Sequence, residues 1–181
     1  MATKQELKNA VCEAIDRNRE RIIGLGERIR RQPELGFKEF KTARLAEETL
    51  GELGLKPRGG LALTGVRAEA AGVKDGPTFA LLGELDGLVV AGHPIADPET
   101  GAAHACGHNA QMAGLLGAAL GLCEARAFEH LAGRVVFFAV PAEEYGDVEW
   151  RVSRRARAVS SSWAASPSCS ASATSTTWIS R

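Results

Sequence analysis

Two residues whose side chains commonly bind metal ions lie close together in the second half of the sequence. Cys106 and His108 are separated only by Gly107, within the segment His104–Asn109. A thiolate sulfur and an imidazole nitrogen are donors that zinc and similar divalent cations prefer. The glycine between them allows the backbone to turn so that both side chains can face one point. The pair therefore predicts a metal site, provided that further donors lie nearby.

Two adjacent carboxylates are the best candidates for those further donors. Glu143 and Glu144 follow directly after the apolar run Gly133–Val140 and the dipeptide Pro141-Ala142. Burying acids at the end of a strand costs free energy unless a cation or a proton compensates their charge. One carboxylate can hold an ion while the other accepts a proton from water that the ion has acidified. This division of roles is typical of a metal-dependent hydrolase.

Each of these residues also has a simpler interpretation, which the sequence leaves open. Cys106 and His108 fit a buried thiol beside a hydrogen-bonded core histidine, or a nucleophilic Cys–His pair. Glu143 and Glu144 fit solvated loop acids. Asp86 fits a turn residue or a helix cap as well as a residue of the site.

The hydrophobic pattern predicts the elements that must position these side chains. The apolar run Thr78–Leu85 predicts a strand covered on both faces, and Gly133–Val140 predicts a second one. Between them, apolar residues recur at helical spacing after Asn109, and three glycines indicate that this helix lies tightly on the sheet. A strand–helix–strand order implies a right-handed parallel crossover, whose ligands bind beyond the carboxyl ends of the strands. The residues expected at that edge are Asp86, Cys106, His108, Glu143 and Glu144.

The residues before the first predicted strand favour helices. The pattern predicts one helix from Leu7 to about Arg31, a second over Thr42–Leu53, and a strand or hairpin over Leu61–Ala71. Together these elements predict an α/β fold with helices packed on a mostly parallel sheet.

Composition and charge limit the classes of partner. With 22 basic and 22 acidic residues, the chain has no net field that would attract nucleic acid or an anionic membrane. The apolar runs are much shorter than the roughly 20 residues that a membrane-spanning helix needs. The charged N-terminus and four irregularly spaced cysteines favour a reducing, cytoplasmic compartment. We therefore expect a small-molecule partner, and neither nucleic acid nor membrane.

The composition changes sharply after Trp150. Residues 1–150 contain no serine, whereas residues 151–181 contain ten serines and no glycine, lysine or acid. Such a Ser/Ala/Arg-rich tail cannot bury enough apolar area to offset its ordering entropy, so we expect disorder. Two interpretations stay open: a serine-rich linker, or a segment translated out of frame.

Four motifs, in this order, resemble those of a known family. They are similar to motifs in the amidohydrolase branch of the aminoacylase/carboxypeptidase metallopeptidases, which includes hippurate hydrolase, indole-acetyl-amino-acid hydrolases and p-aminobenzoyl-glutamate hydrolase. The motifs are Gln32–Glu39, Leu85–Leu88, His104–Asn109 with Leu115–Ala119, and Pro141–Glu144. The resemblance implies that residues 1–150 form a partial metallohydrolase catalytic domain, the N-terminal half of a zinc-exopeptidase-like domain.

The resemblance also implies roles for individual residues. It makes Cys106, His108 and Glu144 ligands of a dinuclear centre of zinc or manganese. It makes Glu143 the general base, and it counts Asp86, which it places near the site, as a second catalytic residue. His104 matches the first histidine of the family's HACGHD motif and would be a supporting polar residue.

The implied reaction is hydrolysis of the amide bond of an N-acyl amino acid or a similar small conjugate. Asn109, Gln111 and the pair Gly83-Glu84 depart from the family's pattern, which leaves the substrate preference open. Family chains also continue into a lid and dimerisation domain and supply two further histidine ligands, whereas this chain has no histidine after His130. We therefore expect the chain as given to be inactive. The alternative is a non-catalytic fragment with at most weak metal binding.

Overall fold

The computed structural model describes residues 2–146 and 149–154, in which three helices come first and most of the strands follow. The helices are α1 (Lys4–Arg17), α2 (Arg19–Arg30), α3 (Phe40–Glu52) and α4 (His108–Glu124), with a 3-10 helix at Ala127–Glu129. The strands are β1 (Arg58–Leu61), β2 (Gly65–Ala71), β3 (Lys74–Glu84), β4 (Leu88–Val89), β5 (Ala102–Ala103) and β6 (Ala132–Val140).

Two helices form the N-terminal segment, so the prediction of one continuous helix is wrong. A capping box starts α1, in which the Thr3 hydroxyl accepts the Glu6 N–H and the Glu6 carboxylate accepts the Thr3 N–H. The helix ends at Asn18, whose side-chain amide donates to the Ala14 carbonyl and to Glu124 Oε2. The second of these contacts lies far along the chain, and periodicity does not reveal it.

One sheet carries the parallel crossover that the sequence predicts. Its strand order is β1-β2-β6-β3. Strands β3 and β6 are parallel and are connected through α4, with Leu81 paired to Phe137. The pairs β1–β2 and β2–β6 are antiparallel. The α/β class is therefore confirmed, but the described sheet is mixed rather than mostly parallel, because β1 and β2 form a hairpin.

Strand β3 is exposed along most of its length, contrary to the expectation that it is covered on both faces. Phe79 is 63% exposed and Leu82 is 61% exposed. Within the described residues β3 is an edge strand that pairs only with β6. Helix α4 reaches its end, where a Cβ added to Gly83 would lie 3.1 Å from Met112 Sδ. An apolar run thus identifies a strand without revealing what covers it.

Helix α4 is the central helix, and two of its three glycines face other helices rather than the sheet. A Cβ at Gly117 would lie 3.1 Å from Ile22, and one at Gly121 would lie 2.7 Å from Ile15. The glycines therefore allow α1 and α2 to approach α4 closely, which corrects the predicted partner of this helix face. The largest buried apolar side chains are Phe137, Ile29, Leu50, Leu85, Met112, Leu116, Leu120 and Val66.

The composition break lies just before the last of the described residues. Residues 149–154 are helical, and the Arg154 guanidinium lies 5.4 Å from the centroid of the Trp150 ring. The predicted disorder and the two interpretations of the tail concern mainly residues 155–181, which lie outside the described residues. None of the helices described here is long and apolar enough to cross a membrane.

Candidate metal centre

Three segments bring the predicted site residues to one edge of the sheet. Asp86 follows β3, Glu143 and Glu144 follow β6, and Cys106 lies just before α4. Gly107 caps α4 with φ +100, a left-handed conformation that glycine adopts without strain. Ligand atoms of Cys106, His108 and Glu144 all lie within 4.8 Å of one another. The structure thus places together the residues that the sequence predicts as ligands.

His108 is buried, and one of its ring nitrogens is already committed. Its Nδ1 lies 2.7 Å from the Asp86 backbone carbonyl oxygen, which can only accept, so Nδ1 carries the hydrogen and donates it. The other nitrogen, Nε2, lies 2.8 Å from Glu84 Oε2 and 3.8 Å from an oxygen of each of Glu143 and Glu144. In the neutral ring Nε2 therefore has a free lone pair directed at carboxylates.

Asp86 is fully buried and contacts two of the candidate ligands. Its Oδ2 accepts the backbone N–H of Glu144 at 3.0 Å, and its Oδ1 lies 3.2 Å from His108 Nδ1. It thereby joins the start of α4 to the turn after β6. Asp86 thus lies on the side of the His108 ring away from Nε2.

Cys106 is exposed, and its thiol donates to Glu144. This hydrogen bond, partial desolvation, and the negative charges of Glu144, Glu143 and Glu84 raise the pKa of Cys106. Without a cation, the thiol of this residue therefore keeps its proton at neutral pH. A divalent ion at the cluster would reverse that preference, because it stabilises the thiolate and neutralises the surrounding carboxylates.

His104 is buried beside the cluster, and neither ring nitrogen has a hydrogen-bond partner among the described residues. Burial and, to a smaller extent, the nearby His108 lower the pKa of His104 to about 4, although Asp86 opposes the shift. The ring is therefore neutral at pH 7. The structure places it as an uncharged neighbour of His108.

We expect the lowered pKa of His104 to make the metal-free protein less stable as the pH falls. Between the unfolded pKa of 6.5 and the folded pKa of about 4, the unfolded chain binds the proton and the folded chain does not. From pH 7 to pH 5 this difference costs about 2 kcal/mol. Urea unfolding in the presence of a chelator measures the free energy of unfolding at each pH. Between pH 7 and pH 5 it should fall more steeply for the wild type than for His104→Phe. An equal dependence of the unfolding free energy on pH in the two proteins would contradict the lowered pKa of His104.

The Gln32–Glu39 motif holds the site in place through the Glu39 carboxylate and the Glu34 backbone carbonyl, which sequence reasoning did not foresee. Glu39 is fully buried, and its carboxylate accepts the Thr64 hydroxyl at 2.6 Å and the Ala142 backbone N–H at 2.8 Å. Burial raises the pKa of Glu39, although these hydrogen bonds oppose the shift. The Glu34 carbonyl accepts the Gly87 N–H at 2.8 Å. The motif therefore contacts the segments that carry Asp86 and the two site glutamates.

The donor set fits a divalent cation. Sulfur, imidazole nitrogen and carboxylate oxygen lie within 4.8 Å of one another, and a second group joins Glu84, His108 and Glu143 within the same limit. Among the described ion pairs of Glu84, Glu143 and Glu144, the only partner is His108. One imidazole is little compensation for three acids, whereas an ion would compensate them.

The chain is therefore an α/β protein in which a parallel crossover carries a candidate metal site at its carboxyl edge. Residues 80–160 match the family described as Peptidase family M20/M25/M40. The resemblance to the N-terminal part of these metallopeptidases, which the motifs indicated, is therefore confirmed.

Individual relatives and a solved structure are also similar to this chain. The chain is 38% identical over 128 residues to an N-acetyl-L-cysteine deacetylase of Bacillus subtilis, covering 69% of this chain and 30% of the relative. It is 36% identical over 130 residues to IAA-amino acid hydrolase ILR1-like 5 of Arabidopsis thaliana, covering 69% of this chain and 29% of that relative. The crystal structure of the Bacillus subtilis YXEP protein, a dinuclear metal binding peptidase from M20 family, matches with TM-score 0.61 and 33% identity over 69% of this chain and 35% of that one. The chain thus spans about a third of the length of these proteins.

Proposed function

We propose that this chain is part of a metal-dependent amidohydrolase that cleaves the amide bond of N-acyl amino acids or similar small conjugates. The observation that carries the proposal is the meeting of Cys106, His108 and Glu144 donor atoms within 4.8 Å, with Glu143 beside them. The relatives named above, a deacetylase of N-acetyl-cysteine and a hydrolase of an amino acid conjugate, support this substrate class. We propose zinc or manganese, as two ions in the complete site, because the donors combine sulfur, nitrogen and oxygen.

The residues of the cluster would have different roles in metal binding and proton transfer. Cys106, His108 and Glu144 would hold the ion, which when bound polarises an amide carbonyl and makes water more acidic. Asp86 fixes the His108 ring through Nδ1, so that Nε2 points to the cluster. Glu143 is 48% exposed, so its carboxylate is open to water and substrate. It would accept a proton from the attacking water and deliver it to the leaving amine as the carbon–nitrogen bond breaks.

The proposal extends to the limits of the catalytic domain and to the location of the protein in the cell. We propose that residues 1–150 are the partial catalytic domain and that the protein is cytoplasmic. The change of composition after Trp150 supports the first assignment, and the four irregularly spaced cysteines support the second.

Metal titration combined with an amide-hydrolysis assay tests the proposal. The 181-residue chain, reduced and stripped with a chelator, should bind zinc or manganese in calorimetry. If it releases amine from a hippurate-like substrate, Glu143→Gln should keep the metal and lose turnover by about a hundredfold or more. The exposed Glu129→Gln is the matched control and should change neither.

The outcomes separate the two hypotheses. Metal binding without turnover would favour the non-catalytic fragment, since the resemblance implies further ligands that this chain does not supply. A folded chain that binds neither ion would contradict the proposal itself.

A further inference from the structure

Glu84, the last residue of β3, lies closer to the free nitrogen of His108 than any other described carboxylate. Its Oε2 is 2.8 Å from His108 Nε2, compared with 3.8 Å for the nearest oxygens of Glu143 and Glu144. The same Oε2 accepts a hydrogen bond from Gln111 Nε2 at 2.8 Å. Glu84 is 25% exposed, so it faces the cluster from a partly solvated position. Gln111 therefore holds this carboxylate beside His108 Nε2.

The contact between Glu84 and His108 needs a positive charge. Because Nδ1 donates its hydrogen to the Asp86 carbonyl, Nε2 of the neutral ring is an acceptor. A carboxylate oxygen is also an acceptor, and two acceptors 2.8 Å apart repel each other unless a proton or a cation lies with them. A proton on Nε2 satisfies this one contact only. A divalent ion satisfies it together with the charges of Glu143 and Glu144.

The distance between His108 Nε2 and Glu84 Oε2 matches that between two ligands of one metal ion. Ligands that each lie about 2.1 Å from one ion are about 3 Å apart when they meet it at a right angle. His108 Nε2 and Glu84 Oε2 are 2.8 Å apart, and the ligand atoms of Glu84, His108 and Glu143 all lie within 4.8 Å of one another. Gln111, on the first turn of α4, prevents the carboxylate from rotating away.

We propose that Glu84 is a metal ligand, binding the same divalent ion as His108 Nε2, with Gln111 as its positioning residue. This inference rests on the metal centre of the proposed function and adds a ligand that the motifs do not contain. It gives the ion that His108 Nε2 binds a further oxygen donor, beside the Cys106 sulfur and the Glu144 carboxylate. Oxygen donors favour harder ions, so this donor should be most evident with manganese.

Direct counting of bound Mn²⁺ tests the role of Glu84. The electron paramagnetic resonance signal of free Mn²⁺ gives the affinity without any activity measurement. Glu84→Gln keeps the shape of the side chain and removes its charge, whereas Glu84→Asp keeps the charge and shortens the reach. If Glu84 is a ligand, both variants should weaken Mn²⁺ binding by about tenfold or more. Gln111→Leu should weaken it less.

Controls separate ligation from other effects. Glu69→Gln, an exposed acid on β2, should bind Mn²⁺ like the wild type, and circular dichroism should show that all variants are folded. Normal affinity in Glu84→Asp with a loss in Glu84→Gln would reduce Glu84 to a nearby charge and overturn the inference. Wild-type affinity in both variants would overturn it while leaving the proposed function intact. A wild-type chain that binds no metal would overturn both.

Discussion

Replacing His108 with alanine should reduce the affinity of the chain for zinc or manganese by about a hundredfold or more. His108 is the one residue present in both donor groups, and its Nε2 faces three carboxylates. Removing the ring leaves those acids without the nitrogen that shares the ion with them. Calorimetric titration of the reduced, chelator-treated chain measures the loss.

Two further variants show whether the lost affinity reflects the nitrogen or the fold. His108→Asn keeps a side-chain N–H near the position of Nδ1, which can still donate to Asp86, but it has no counterpart of Nε2. It should lose nearly as much affinity as the alanine variant while retaining more stability. His130→Ala removes an exposed histidine and should bind like the wild type. Normal metal affinity in His108→Asn would show that Nε2 is not a ligand.

The parts of this fold that the sequence predicts are those determined by local pattern and chain handedness. The apolar run at the end of β3, the helical spacing after Asn109 and the run of β6 are each visible within a short window. A crossover between two parallel strands has one favoured hand. Their carboxyl ends therefore meet, and this alone predicts that Cys106 and His108 lie near Glu144.

The errors in the predicted fold all involve partners that are distant in sequence. The break at Asn18 depends on Glu124, 106 residues away. The glycines of α4 indicate close packing, but a sequence cannot say that Ile15 and Ile22 of α1 and α2 fill the space. The exposure of β3 likewise depends on which strands flank it, and the apolar run Thr78–Leu85 carries no such information.

The same limit explains which site residues escaped prediction. Cys106 and His108 are noticeable because sulfur and imidazole are rare and chemically distinctive. Glutamates are common on surfaces, so Glu39 and Glu84 look like solvated acids until the structure shows their partners. Glu39 bonds to Ala142, 103 residues further along the chain. The available signal was that Glu39 belongs to the motif Gln32–Glu39.

Glu39 acts on the site through the backbone rather than by touching the cluster. Its carboxylate holds the N–H of Ala142, which has φ +53, a conformation that a non-glycine residue adopts at a cost. Glu143 follows immediately, and the N–H of Glu144 is held by Asp86. The turn that carries both acids is thus fixed at two consecutive anchor points. Loss of the first should let Ala142 relax and displace both carboxylates from His108.

Glu39→Ala should therefore lower both the stability of the protein and its affinity for metal. The substitution leaves the Thr64 hydroxyl and the Ala142 N–H buried without a partner, at about 1–3 kcal/mol for each group. Leu50→Ala is the matched control, because it removes a fully buried side chain of α3 at about 2–5 kcal/mol without contacting the turn. Urea unfolding compares their stabilities, and titration of zinc under conditions where both remain folded compares their affinities. We expect Glu39→Ala to bind zinc about tenfold more weakly than Leu50→Ala, with partial recovery in Glu39→Gln, which retains one acceptor. Equal zinc affinity in the two alanine variants would show that Glu39 supports only the fold, since general destabilisation would then account for its whole effect.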